Sequence, residues 1–333
     1  MDHEQKPNDI HEPPNVADTL QSLAVLEVNC VHQDLTNIIK SIEDGLVPTV
    51  LKVLVVKTDP DDPDDPDDPD DSDTNMDDDD NNDEGPLLNH LLSLLPVVEE
   101  ASLHLCGHGE YFYQLKPRSL PTLKIVNLEF KLQLLRLSDG RSLFHAASNL
   151  ETVELTKCVG NNWLRDLENL NLPNIKRFKF NNSCLFTIEI EYLGTLAKLC
   201  AFKYSFDFIM EHLYNQDREQ VATPTDVLTA FEPLKHQLEE LELVIGIGSP
   251  PENLPLIESL ANFERLRLVS IAARFVKDLQ TFIRSLPSSV NELLVHGKDS
   301  RVCKELDVST HGSMTVKHIG CSSCQWSAEV GDV

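Results

Sequence analysis

Three groups of residues in this chain have types and spacings that could do chemistry. Near the C-terminus, H-I-G-C-S-S-C sets His318, Cys321 and Cys324 at the spacing of metal ligands, with His311 the nearest fourth donor. Imidazole and thiolate suit zinc, but a structural zinc site needs four ligands and usually presents a second paired knuckle. There is one C-x-x-C pair, so these thiols read as ordinary groups in a C-terminal cap. The second group is the run T-D-P-D-D-P-D-D-P, where residues 59–84 hold sixteen carboxylates and no Lys or Arg. It lacks the glycine at loop position six and the closing glutamate that a calcium loop of the EF-hand kind requires. It reads as a solvated insertion, or as an electrostatic arm for a basic partner. The third group is Tyr111, Phe112 and Tyr113 in E-Y-F-Y-Q-L. Aromatic side chains anchor interfaces, so these three are candidates for a partner-binding rim, and the alternative is packing beneath a loop.

Nothing catalytic accompanies them. G-x-S-x-G, H-E-x-x-H and the Walker loop are all missing, and G-I-G-S-P-P has no third glycine. The twelve histidines fall in no recognised motif. The expectation is a non-enzymatic chain with no cofactor and no metal. N-N-S at 181–183 matches a glycosylation sequon, which stays unmodified without secretion.

The totals narrow the partners. The chain has 333 residues, 41% of them hydrophobic, and a formal net charge of −27 with a pI near 4.7. The acidic run accounts for sixteen of those charges, so the remainder carries −11. Such a surface repels phosphate backbones, which argues against nucleic acid as a partner. The N-terminal M-D-H-E-Q-K-P-N-D has neither an apolar signal core nor a basic flank. The most apolar stretches, L-V-P-T-V-L-K-V-L-V-V and L-L-N-H-L-L-S-L-L-P-V-V, are too short to cross a bilayer, which takes about 20 residues. No membrane association is expected, and eight scattered cysteines point to the cytoplasm or nucleus.

The elements that must position these residues show up as a repeat. An apolar residue followed by apolar residues three and five positions later begins at 23, 50, 98, 123, 150, 175, 199, 238, 266 and 290. Seven of the nine intervals lie between 24 and 28 residues, which chance alternation would not produce. A weak eleventh copy, V-K-H-I-G-C, begins at Val316. Within a copy, the second and third apolar positions alternate as in a strand, so their neighbours face the other way. Between copies lie amphipathic stretches such as L-T-N-I-I-K-S-I-E-D-G-L and V-K-D-L-Q-T-F-I-R-S-L-P, which read as return helices stopped by proline. One such unit cannot bury its apolar face alone, so units must stack.

The pattern resembles the leucine-rich repeat, L-x-x-L-x-L-x-x-N/C-x-L, with Cys106 and Cys158 at the N/C position. The resemblance implies an α/β leucine-rich repeat solenoid, a horseshoe of about ten strand-helix repeats with an inner parallel sheet, over 20–320. Residues 1–19 are then a disordered N-terminal segment and 321–333 a tail. The interval of 48 after the second copy exceeds the norm by roughly the length of the acidic run. That run therefore reads as a disordered insertion at 58–86 between a strand and its return helix. The phrasing L-P-T-L-K-I-V-N-L-E-F and P-L-K-H-Q-L-E-E-L-E-L is similar to the degenerate repeats of fungal F-box leucine-rich repeat proteins, which recognise substrates for SCF-type ubiquitin ligases. No F-box is visible before the first repeat. The resemblance thus implies the recognition half, and a ubiquitin-ligase adaptor as partner only where an F-box has been lost from the gene model. The other reading is an acidic scaffold, or a chaperone-like binder of basic proteins such as histones.

Aligning the copies predicts which side chains share the open face. The central column should run Asn127, Glu154, Lys179, Lys203, Glu242, with Arg177 beside Lys179. Two outcomes are open for it. Glu154 with Lys179 and Lys203 with Glu242 could form a charge ladder of little energetic worth, or Arg177, Lys179 and Lys203 could form a basic patch for an acidic peptide.

Overall fold

The computed structural model describes residues 24–29, 32–46, 50–57, 84–95, 97–105, 112, 115–130, 135–136, 141–159, 172–209, 221–297 and 314–319. The acidic run over 58–83, the segment before residue 24 and the tail after 319 lie outside these.

Each of the ten apolar motifs contains a strand, and so does the eleventh. The strands are β1 (Val25–Asn29), β2 (Val53–Lys57), β3 (Glu100–Leu105), β4 (Ile125–Phe130), β6 (Thr152–Thr156) and β8 (Arg177–Ser183). They continue as β9 (Ala201–Asp207), β10 (Glu240–Ile247), β11 (Leu268–Ala272), β12 (Glu292–His296) and β13 (Thr315–Ile319). All eleven form one open sheet, ordered β1-β2-β3-β4-β6-β8-β9-β10-β11-β12-β13, and every pairing is parallel. Spatial order is sequence order, so the fold is α/β and solenoid-like. Two short strands, β5 (Leu135–Arg136) and β7 (Cys158–Val159), pair separately as a small second sheet.

Parallel strands require a return path on one face of the sheet, and that face holds the core. Leu26, Leu54, Ala101, Val126, Val153, Phe178, Phe202, Leu241, Val269 and Leu293 form one buried column across β1 to β12. Val28, Val56, Leu103, Leu128, Leu155, Phe180, Tyr204, Leu243, Ile271 and Val295 form a second. Helices α1 (His32–Glu43), α2 (Glu84–Leu94), α3 (Arg141–Ala146), α4 (Thr187–Leu193), α5 (Pro224–Ala230) and α6 (Leu279–Arg284) cover them. Leu35, Ile39 and Ile42 of α1, Leu88, Leu91 and Leu92 of α2, and Phe282 of α6 join the same hydrophobic cluster. Helix starts follow local chemistry. Thr223 caps α5 with Pro224 at its first position, and the Asp278 carboxylate accepts from the Thr281 amide at 2.6 Å.

The structure corrects three expectations. In the second copy the buried residues are Leu51, Leu54 and Val56, whereas Val50 is exposed and Val53 and Val55 are half-buried. The frame starts one residue later than the Val50, Val53, Val55 reading. In V-L-K-V-L-V-V the apolar run is continuous, so both frames fit by pattern, and a one-residue slip exchanges the faces. The earlier frame would turn Lys57 inward, and burying an unpaired ammonium is costly. The eleventh strand likewise turns Val316 and His318 inward and leaves Ile319 out. Finally, the strand-helix unit is not uniform. The return from β10 to β11 has no helix, because Pro250, Pro251 and Pro255 in G-S-P-P-E-N-L-P forbid one. Ile257 instead donates its amide to the Phe275 carbonyl at 2.7 Å.

No helix among the described residues is long and apolar enough to cross a membrane. Close packing sets two positions. A Cβ on Gly194, just after α4, would lie 2.1 Å from the Ala230 carbonyl oxygen in α5. One on Gly246, at the register shift within β10, would meet Asn182 Oδ1 at 2.2 Å and Ser205 Oγ at 2.4 Å.

The β2 frame has a direct check by urea unfolding. Leu54→Ala should cost roughly 2–5 kcal/mol and Val53→Ala under about 1 kcal/mol. The reverse order would restore the earlier frame. Gly194→Ala should destabilise by roughly 1–3 kcal/mol, as backbone in α5 has to move.

Candidate functional site

The sheet has one face packed and the other open, and the open face carries the charged candidates. Its central column is set by register: Glu27, Val55, Ser102, Asn127, Glu154, Lys179, Lys203, Glu242, Ser270, Leu294, Lys317. The candidates Glu154, Lys179, Lys203 and Glu242 are thus consecutive neighbours on β6, β8, β9 and β10. Arg177 stands on the same face, two residues before Lys179.

Their side chains are paired with one another. Lys179 Nζ lies 3.3 Å from a Glu154 carboxylate oxygen, and Lys203 Nζ lies 3.8 Å from Glu242. Arg177 donates to both carboxylate oxygens of Glu240 at 2.8 Å. That bidentate contact passes over β9, and it can do so because the intervening residue is the short Ala201. Glu154 also accepts from Asn181 at 2.7 Å, and Asn127 donates to Ser102 at 2.9 Å. Each cation of the expected basic patch therefore rests on a carboxylate. The arrangement is the charge ladder, and it offers an acidic peptide no unpaired cation among Arg177, Lys179 and Lys203. The contacts are half-exposed, so each contributes little to stability.

Of the aromatic rim, Phe112 is fully buried. That corrects its assignment to a surface anchor, since its ring packs in the core. Tyr111 and Tyr113 lie outside the described residues, as do His311, Cys321 and Cys324. His318 is within them, on β13, with Nε2 2.9 Å from the Gly297 carbonyl oxygen. Among the described residues no cluster of His, Cys, Asp or Glu could hold a metal ion. Cys158 is buried, and its amide donates to Ser183 Oγ at 3.2 Å, while its carbonyl accepts from the Cys184 amide at 2.9 Å. Its place in the stack is thus a backbone contact between successive turns. Cys106 lies outside the described residues.

A second charged row was missed by the sequence reading. One residue after the leading apolar position of the second to sixth copies stand Lys52, Glu99, Lys124, Glu151 and Lys176, alternating in sign. Glu99 bridges Lys52 at 3.5 Å and Lys124 at 3.0 Å, and Lys176 reaches Glu151 at 2.8 Å. The hydrogen bond and charge of Lys124 hold the Glu99 carboxyl below its usual range, with Lys52 adding to this. The same contact raises Lys124. Lys176, by hydrogen bond and charge, lowers Glu151, and the Lys124 charge contributes. The signal was present in the sequence, but the frame slip in the second copy put Leu51 where Lys52 belongs. On the open face, burial lowers His296, helped by the charges of Lys203 and His318, and His296 Nε2 lies 2.8 Å from Ser270 Oγ.

Comparison with known proteins finds no matching family model and no matching curated protein.

The alternating row gives a pH prediction. Glu99 and Glu151 have depressed folded-state values, so their contribution is present above the unfolded carboxylate range, about 4.3. It is lost as pH falls through the lowered folded values. Lys124 is raised by the same contact, so on the alkaline side its contribution is lost as pH rises through its folded value, and on the acid side it goes with the protonation of Glu99. Lys124→Met should therefore lower Tm slightly at pH 7 and not at all near pH 2, read by thermal melts at low salt. A gap independent of pH would remove the ion pairs as its cause.

Proposed function

We propose that this chain is a leucine-rich repeat solenoid whose role is non-enzymatic protein recognition through the open face of its sheet. The single observation that carries the reading is the open face itself. Eleven strands in chain order present one continuous open face that carries rows of paired charges, opposite a face sealed by one core. Stacked-repeat proteins bind along such extended surfaces. The closest chemistry of use is that of the F-box leucine-rich repeat subunits, in which repeats select a substrate for a ubiquitin ligase. The repeats here would supply the selecting part, with Glu154, Arg177, Lys179, Lys203 and Glu242 in the contact area. Compartment follows from this role as cytoplasm or nucleus.

A second reading has its own support. The cations at the centre are already neutralised, and the chain's formal net charge is −27, so its excess charge is acidic. That favours a scaffold or chaperone-like binder of basic proteins over a receptor for acidic peptides.

The test is affinity capture from native cells with mass spectrometry, comparing the wild-type chain with Glu154→Lys combined with Lys203→Glu. That double variant breaks two pairs and leaves net charge unchanged. A partner that uses the face should be lost or weakened by about tenfold, with the melting curve nearly unchanged. A ubiquitin-ligase adaptor among the captured proteins supports the first reading, and histones or other strongly basic proteins the second. Equal capture of every protein by both forms would sink the open face as the binding surface.

A further inference from the structure

We infer that the β1–β4 end of the open face is a docking site for a basic segment carrying apolar side chains, with Glu100 as the acceptor for its cation. The inference rests on the reading of the open face as a protein-binding surface and names where on it the partner sits and what chemistry it has.

Two properties of the face change along the sheet. The first is charge balance. On β6 to β10 the outward charges are Glu154, Glu240 and Glu242 against Arg177, Lys179 and Lys203, and all six are paired. On β12 and β13, Glu292 pairs with Lys317. On β1 to β4 the outward side chains include Glu27, Glu100 and Glu129 with only Lys57 on the same strands to oppose them. Lys57 is taken by Glu27, and Glu129 is held by His104 and by Lys157 from the turn after β6. Glu100 alone has no ion-pair partner among the described residues of these strands.

The second property is polarity. In register, Glu100 lies between Val53 on β2 and Ile125 on β4, both half-buried on this face. Val25, next to Val53 on β1, is 50% exposed, and Val55 follows on the central column. An unpaired carboxylate flanked by two aliphatic side chains, with Val25 and Val55 just beyond Val53, has the chemistry to take an Arg or Lys from a segment whose neighbouring side chains are apolar. The aliphatic frame lowers solvent competition for the ion pair, which is where such a contact gains strength. The long-range field agrees. Lys57 ends β2, and the sequence that follows, 59–83, carries aspartates and no basic residue, so a basic segment is drawn to this end.

The test uses the full chain and a fluorescein-labelled twelve-residue peptide alternating arginine with valine, read by anisotropy. Controls alternate glutamate with valine and arginine with serine. Glu100→Gln should weaken the arginine–valine peptide roughly fivefold and Val53→Ser by a similar factor, while Glu258→Gln, an exposed carboxylate on the return between β10 and β11, leaves it unchanged. Both control peptides should bind at least tenfold more weakly. A chain in which the aspartates of 59–83 are replaced by asparagine should bind more slowly and keep the Glu100 effect. The inference fails if Glu100→Gln and Glu258→Gln weaken binding equally, or if binding vanishes with the aspartates alone. It also fails if removing residues 1–23 tightens binding more than tenfold, since the chain's own start then fills the site. A dimer in sedimentation velocity that Glu100→Gln dissolves overturns it as well, with a second copy as occupant. Should the Glu154→Lys, Lys203→Glu chain lose its cellular partner while Glu100→Gln has no effect on the peptide, the open face binds proteins and only this end of it is wrongly assigned.

Discussion

From β2 to β12, each turn that enters the sheet donates two successive backbone amides to one carbonyl of the turn before. The Lys52 carbonyl accepts from Glu99 and Glu100, that of Glu99 from Lys124 and Ile125, that of Lys124 from Glu151 and Thr152, and that of Glu151 from Lys176 and Arg177. The series continues through Lys176, Cys200, Glu239 and Arg267, with distances between 2.7 and 3.2 Å. This column fixes the register of each strand on its neighbour before any side chain is considered. Because the side-chain period of a strand is two, register decides which residues are core and which are surface. The apolar columns, the charged row at the strand entrances and the polar column of the open face all follow from it.

The core adapts to composition without giving up that register. In the middle of the sheet, aromatics replace leucine. Phe178, Phe180, Phe202, Tyr204 and Phe206 stack or meet edge-on, with Phe231 and Phe275 closing the group. Rings need more room than leucines, and the register shifts between Phe180 and Ser183 and between Ile245 and Ile247 fall beside them. Tyr204 keeps its hydroxyl satisfied by accepting from the Leu185 amide at 2.8 Å, and burial pushes its phenol well above its ordinary value. Asn182, with a φ of 48°, and Gly246 sit at the same shifts, where backbone and side chains approach most closely.

The open face carries charge without exposing much of it. Glutamates and lysines stand closely enough that neighbours neutralise one another, and the bidentate reach of Arg177 over Ala201 extends this across two strands. A partner at the centre must therefore compete with existing ion pairs, which favours shape and specific hydrogen bonds over bulk attraction. At the β1–β4 end the balance fails, and valine and isoleucine replace lysine around Glu100. One sheet thus offers two different surfaces, set by which residue types occupy the outward positions of each strand.

The repeat was legible in the sequence because it is a spacing, and spacing survives without coordinates. Leu150, Val153 and Leu155 or Leu238, Leu241 and Leu243 state the strand and its buried side by themselves, and the order of the open-face column from Asn127 to Glu242 follows from aligning them. The frame of V-L-K-V-L-V-V was not legible, because a continuous apolar run fits two frames and only the neighbouring strands and the position of Lys57 choose between them. Nor was the fate of Phe112, whose burial depends on what packs over it. Sequence also put Arg177 next to Lys179 and left both a charge ladder and a basic patch open, whereas the pairing of Arg177 with Glu240, 63 residues away, exists only once three strands are side by side. Local pattern determines which way a side chain points, and tertiary contact alone decides whether its charge is already spent on a neighbour.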